Sequence, residues 1–213
     1  MKNTIGNNFT VTLFGESHGE AIGCVIDGIA PGVAVDEAFI AAQMKKRKGI
    51  SSISTPRREE DKVKILSGVF EGKTTGTPIC IMIENSNTES KDYSAIRYLS
   101  RPGHADYTAE CKYHGFQDYR GGGHFSGRIT APLVAAGAIA ISALRNKGIY
   151  IGTHILRCAD IIDRDFLNIK EDISLLDSLD MPVLCEEKRK AILSLIENVR
   201  SQGDSIGVYY HLL

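Results

Sequence analysis

The 213-residue chain has no tryptophan, only five cysteines and a formal net charge of -1. It also lacks any uninterrupted apolar run of about 18 residues, the length needed to span a bilayer, so no membrane is expected as a partner. Cys24, Cys80, Cys111, Cys158 and Cys185 are odd in number and contain no CxxC pair. That spacing argues against a disulfide framework and against a zinc knuckle, and reads as reduced thiols partly buried in a core. Lys and Arg number 25 against 26 Asp and Glu. Such a balance gives no long-range attraction for nucleic acid, which is not expected to bind, and any anion site must be built locally. Residues 1–9 are polar and do not resemble a signal peptide, which points to the cytoplasm. Repeats, low-complexity tracts and a composition shift that would mark a domain boundary are all missing.

What is present is a globular pattern: 43% apolar and 24% charged residues, enough to bury a core. Residues 9–14 (FTVTLF) alternate apolar and hydroxyl side chains, the period of a half-buried strand, and 21–29 (AIGCVIDGI) resume it after a tight turn. Asp36 reads as an N-cap for a helix over 37–48, whose last turn carries four cations that complement the helix dipole, with Gly49 as its stop. Residues 62–70 and 78–83 read as two strands joined by a hairpin loop at 71–76. The stretch 130–144 (TAPLVAAGAIAISAL) predicts a helix apolar on all sides, to be wrapped by other elements. Pro132 is tolerated in its first turn, and 145–148 supply its stop. A strand over 149–157 and an amphipathic helix over 186–202 follow, the latter turning Ile192, Leu195, Ile196 and Val199 to a core.

Three turns carry the chemistry. Gly121-Gly122-Gly123-His124-Phe125-Ser126-Gly127-Arg128 brings backbone amides and a helix start together, the makings of a phosphate or cofactor cradle. It is not GxGxxG, and an ordinary glycine turn is the competing reading. Gly15-Glu16-Ser17-His18-Gly19 also fits GxSxG, the strained elbow of serine hydrolases. A strand rather than a helix is expected after it, however, and adjacent Ser17 and His18 are expected to point apart on extended backbone. Arg101-Pro102-Gly103-His104-Ala105-Asp106 sets a histidine in a turn, or else starts a helix capped by local polar groups. His114, His154 and His211 lack such context. With no i, i+4 histidine pair and no HxH, no metal site is expected. The cations Lys45, Lys46, Arg47, Lys48, Arg57 and Arg58 form either a solvated face or a receptor for phosphate and carboxylate groups.

These stretches together resemble the N-terminal part of the chorismate synthase family. The resemblance runs from Asn3 through FGESHGEAIGCVIDGIAPG, STPRREEDKVKILSGVFEGKTTGTPI and KDYSAIRYLSRPGHADYTAECKYHGFQDYRGGGHFSGRITAPLVAAGAIA, and ends with GDSIG at 203–207. It implies an α+β fold, a layered β-α-β sandwich with helices enclosed between sheets and assembled as a homotetramer. It also implies a shikimate-pathway lyase of aromatic amino acid biosynthesis. Such a lyase removes phosphate from 5-enolpyruvylshikimate 3-phosphate by 1,4-anti elimination with reduced FMN, and NADPH is a candidate reductant.

By motif, the resemblance makes His18 and His104 the catalytic, proton-handling residues, a task that suits a side chain titrating near neutrality. It places His124, Phe125 and Ser126 against the flavin, where many members carry Arg-Ser-Ser. Arg47, with Lys46 as the neighbouring alternative, Arg128 and Ser17 fall at substrate or dinucleotide positions, and a second family arginine is replaced near Ser52. Residues 208–213 do not read like the family's continuation into another strand. The expectation is therefore one incomplete domain over 1–213 with a non-family tail and the C-terminal half missing, from a premature stop, a frameshift or a fragment. Leu133, Val134, Ile139 and Ile141 should then be uncovered. Three readings follow: a synthase chain active only when completed, a non-catalytic flavin- or phosphate-binding fragment, and a GxSxG hydrolase.

Overall fold

The computed structural model describes residues 2–48, 60–86, 93 and 97–213. Among these residues the chain divides into two compact units, a division that no composition shift announces. The first draws on 1–47 and 58–143, the second mainly on 144–213. The described residues form a mixed α+β architecture with antiparallel sheets and five α-helices.

The first unit is built on a five-stranded antiparallel sheet. Its strands are β1 (Thr4–Gly6), β2 (Thr10–Gly15), β3 (Ala21–Asp27), β4 (Val63–Ile65) and β7 (Ile79–Glu84), in the order β1-β2-β3-β7-β4. Alternation selects the buried face: Ile22, Cys24 and Ile26 of β3 lie beside Ile79, Ile81 and Ile83 of β7, and all six are fully buried. Helices α1 (Glu37–Arg47) and α3 (Thr130–Arg145) pack on this face through Ile40 and Met44, and through Ala131, Ala135, Ala136, Ala138 and Ile139. Asp36 caps α1 as expected, its Oδ1 accepting the Phe39 N–H at 2.9 Å.

The expected strand over 62–70 breaks in two. After β4 the chain leaves the sheet, and β5 (Val69–Phe70) pairs with β6 (Lys73–Thr74) as a separate ribbon before β7 returns. Gly68 permits that departure: it sits at φ +80, and a Cβ there would lie 2.7 Å from Pro78 O. Arg57, Arg58, Gly49 and Ser52 lie outside the described residues.

Helix α3 is not wrapped on all sides within its unit. Ile139 is 1% exposed and belongs to the buried face, whereas Leu133 is 37% exposed and Val134 and Ile141 are half-buried. By length and composition alone, Gly127–Arg145 would suffice to cross a bilayer. Its alanine-rich face is nevertheless committed to the core of this unit.

The second unit pairs β8 (Thr153–Cys158) with β9 (Ile161–Ile162) and β10 (Val208–Leu212) in the order β10-β8-β9, with α4 (Ile169–Ser178) and α5 (Glu186–Ser201). Residues 208–212 therefore do continue as a strand, antiparallel to β8 with an irregularity between Tyr209 and Tyr210. Leading residues 149–152 of the expected strand stay outside β8, and the unassigned stretch 160–182 contains β9 and α4. Asp163 anchors this unit, because its two carboxylate oxygens accept the Leu184 and Cys185 N–H groups at 2.6 and 2.9 Å, at the start of α5. Buried His154 lies 3.2 Å from the same carboxylate.

Candidate functional site

The site is built in the first unit, where the three motif turns meet. Strand β2 forms one wall through Leu13, Phe14 and Gly15; it ends at Gly15, the chain turns tightly through Ser17 and His18, and β3 leads back. Ser17 N–H donates to Gly123 O at 3.1 Å, which ties the first motif to the glycine run. Gly121 sits at φ +61 with its α-carbon face against the His18 ring, and a Cβ there would come within 2.4 Å of His18 Nδ1. Only glycine allows that approach.

The third motif is tied in by Arg101. Its Nε and Nη2 donate to the two oxygens of Asp106 at 2.8 and 2.9 Å, and Nη2 also donates to Gly121 O. This bidentate pair closes the turn just before α2 (Asp106–Tyr113). Hydrogen bonding from Arg101 holds the Asp106 carboxyl below the usual carboxylate range, against the opposing effect of burial. In the same way Arg120 holds Asp118 low, with a smaller contribution from His18.

A cavity of about 540 Å³ opens at this junction, within the range of small-molecule sites. Each motif contributes to its lining: Gly15 and Glu16 from the GESHG turn, Arg101 and Asp106 from the RPGHAD turn, Gly122, His124 and Phe125 from the glycine run. Tyr98, Tyr113, Phe116 and Tyr119 add aromatic surface. Phe125 lies 5.9 Å from Tyr113, with the Lys112 ammonium 5.6 Å from its ring centre, and the Arg97 guanidinium is 5.2 Å from the rings of both Tyr98 and Tyr119. The lining also carries Glu16, Asp106, Glu110 and Asp118 beside Arg97 and Arg101, so its aromatic faces, rather than a net positive charge, suit a planar ligand. The cavity has room and aromatic surface for a planar ring such as a flavin's, against which His124, Phe125 and the tyrosines would lie. His124 Nδ1 lies 2.8 Å from Gly15 O and must carry the proton, since a carbonyl can only accept.

The sequence-predicted residues are not all brought to the cavity. His124 and Phe125 face the cavity. Ser126 instead caps the short helix Gly127–Ile129, accepting the Arg128 N–H at 3.2 Å, and does not line the cavity. Ser17 and His18 lie just behind the glycine run, 0% and 7% exposed, with Tyr93 edge-on to the imidazole at 4.9 Å. His104 is exposed on the turn before α2, with Nδ1 3.4 Å from Pro102 O, and is not among the cavity residues.

Ser17 and His18 correct the expectation that they point apart: Ser17 Oγ is 3.0 Å from His18 Nδ1. The backbone there is a tight turn rather than an extended segment, so neighbouring side chains can meet. This contact does not make a hydrolase elbow. Ser17 is fully buried, its Oγ also lies 3.5 Å from Arg120 O, and β3 rather than a helix follows.

The basic candidates sit deeper. Arg128 is buried and donates to Asp61, to Asn85 Oδ1 at 2.9 Å and to Glu84 O at 3.3 Å. Asp61 also accepts from Arg47 Nη2 at 3.0 Å, while Lys46 is half-buried on the same last turn of α1. Sequence reasoning missed Asp61, Asn85 and Arg101. The first two are joined to Arg128 across 67 and 43 residues, separations that leave no local signal. Arg101 and Asp106 are five residues apart within one motif, and that ion pair was available to a closer reading. Among the described residues no group of three or more His, Cys, Asp or Glu is placed to hold a metal ion.

Comparison with known proteins gives the arrangement a family. The sequence profile of chorismate synthase matches residues 9–213, the β10 stretch included. Chorismate synthase of Paraburkholderia xenovorans (strain LB400) is 49% identical over 212 residues, which cover 96% of this chain and 55% of that protein. A crystal structure of chorismate synthase superposes with a TM-score of 0.72 at 24% identity, covering 96% of this chain and 56% of the other, and supports the fold. The chain thus spans about half the length of the relatives it matches. With its three motif turns gathered on one cavity and its profile matched from the second strand to the last residue, the chain belongs to the chorismate synthase family.

Proposed function

We infer that this chain carries the N-terminal part of a chorismate synthase. The reaction is elimination of phosphate and a ring hydrogen from 5-enolpyruvylshikimate 3-phosphate, giving chorismate for aromatic amino acid biosynthesis in the cytoplasm. The observation that carries this reading is the convergence of GESHG, RPGHAD and the glycine run on one aromatic, cation-bearing cavity. Reduced FMN, when bound, supplies reversible electron donation to a reaction with no net redox change, and NADPH is its candidate source of reducing equivalents.

The protein's own residues position, exclude water and move protons. His18, held between Ser17, Tyr93 and Gly121, is placed to exchange a proton at its imidazole behind the cavity wall. His104, on the exposed turn, serves the substrate phosphate. His124 and Phe125 hold the flavin, with Ser126 fixing the loop that presents them. Arg47, Lys46 and Arg128 form the basic layer, and Ser17 sets the His18 tautomer. In a full-length member of the family the layered β-α-β sandwich would enclose α3 between sheets, four chains would assemble, and the outer face with Leu133 would be covered.

The 55% coverage favours a second reading in which this chain binds flavin or phosphate without turnover. An anaerobic assay of the 213-residue chain with reduced FMN and 5-enolpyruvylshikimate 3-phosphate separates the two. Phosphate released in step with chorismate absorbance, and lost in His18→Ala, supports the synthase reading. Saturable FMN binding without phosphate supports the second, and neither binding nor release contradicts both.

A further inference from the structure

A hydrogen-bond relay runs from the GESHG turn into the core, and only its two arginines figure in the chemistry above. Its hub is Asn85, directly after β7. The Asn85 backbone N–H donates to Glu20 O at 3.0 Å, and its Nδ2 donates to Glu16 O at 3.0 Å and Gly19 O at 2.9 Å. Its Oδ1 accepts from Arg128 Nε at 2.9 Å. The amide fits only one way round, because two carbonyls can only accept and a guanidinium can only donate. From Arg128 the relay continues to Asp61 and then to Arg47.

The two carbonyls that Asn85 holds bracket Ser17 and His18. On the other side the turn is held by Ser17 N–H to Gly123 O, and internally by Gly19 N–H to Glu16 O at 3.1 Å. Without the amide, Gly19 O loses its donor and Glu16 O keeps only the Gly19 N–H, so the turn that carries His18 is held by fewer bonds. The geometry points to Asn85 as a positioning residue: it aims His18 through these two carbonyls and joins that turn, by Arg128 and Asp61, to Arg47. This rests on the reading that His18 moves a proton and Arg47 faces an anion, but its test requires neither.

Asn85→Asp keeps an acceptor for Arg128 and removes the donor to the turn, so it separates positioning from core stability. Amide hydrogen exchange on the full chain should show the Ser17 and Gly19 amides exchanging about tenfold faster or more, while Cys24 and Ile81 in the sheet stay within about twofold. The His18 ring resonances should move with them. Unchanged exchange at Ser17 and Gly19, or equal acceleration throughout β3 and β7, would overturn the assignment. Should the variant not fold, the wild-type chain decides: scalar couplings across hydrogen bonds from Asn85 Nδ2 to the Glu16 and Gly19 carbonyl carbons are expected, and their absence overturns it. Faster turn exchange with unaltered phosphate release would leave Asn85 in this role and count against His18 as the proton carrier.

Discussion

Asp61→Asn is expected to lower the stability of the first unit by about 3–5 kcal/mol, the cost of breaking a buried ion pair by removing one partner. The Asp61 side chain is 2% exposed and lies between Arg128, 5% exposed, and Arg47, 20% exposed. Each carboxylate oxygen serves a different guanidinium. An asparagine has one acceptor oxygen and would turn an NH2 towards the second arginine, leaving a buried cation against a donor. Burial alone would raise the Asp61 carboxyl, but hydrogen bonds and charge from Arg128, then Arg47, outweigh it and hold the group below 3.8.

The sign of the pH effect follows from that depression. Stabilisation from Asp61 is fully present above the unfolded value near 3.8 and is lost as pH falls through the lower folded value. Urea unfolding at pH 7, followed by a signal from the first unit, should therefore show the full difference between wild type and variant. In strong acid the two should converge. A variant within about 1 kcal/mol of wild type at pH 7 would show that the triad contributes no more than an exposed pair.

Gly121→Ala is the second large effect, and it acts on the site rather than the core. At φ +61 any L side chain costs about 1–2 kcal/mol. The added methyl would also stand 2.4 Å from His18 Nδ1 and Cε1 and 2.9 Å from Ser17 Oγ, distances no real Cβ keeps. The imidazole must move, and a displacement of about 1 Å in a reacting group is worth on the order of a hundredfold in rate. Gly127→Ala is the matched control: its φ is ordinary and a Cβ there meets nothing within 4 Å. Phosphate release and the His18 ring resonances should change strongly in the first variant and little in the second. Equal behaviour of the two would mean that the glycine run does not set His18.

Local pattern made much of this legible. The period-2 runs of β2 and β3, the Asp36 cap, the cationic end of α1 and the apolar stretch of α3 all appear where the residues place them. The three turns were recognisable as a set, and they do converge. What failed was long-range or geometric. The β4/β5 break depends on Gly68 passing close to Pro78, and the Ser17–His18 contact on a turn that pattern reading took as extended. The roll of cavity residues was half legible: His124 and Phe125 face it, while Tyr98, Tyr119 and Arg101 reach it only through the folded loop around α2. Asp61 and Asn85 carried no signal, because a buried charge balance is a property of three distant segments together.

The central claim is that the three turns form one flavin-holding wall. Its most direct test is a titration of the 15N-labelled 213-residue chain with FMN, reduced anaerobically, mapped by amide and imidazole shifts. The account predicts saturable one-to-one binding, with changes concentrated at Gly15, Glu16, Arg101, Gly122, His124 and Phe125 and absent from β8–β10. Saturable binding whose shifts fall outside those residues, or no binding at all, would contradict it.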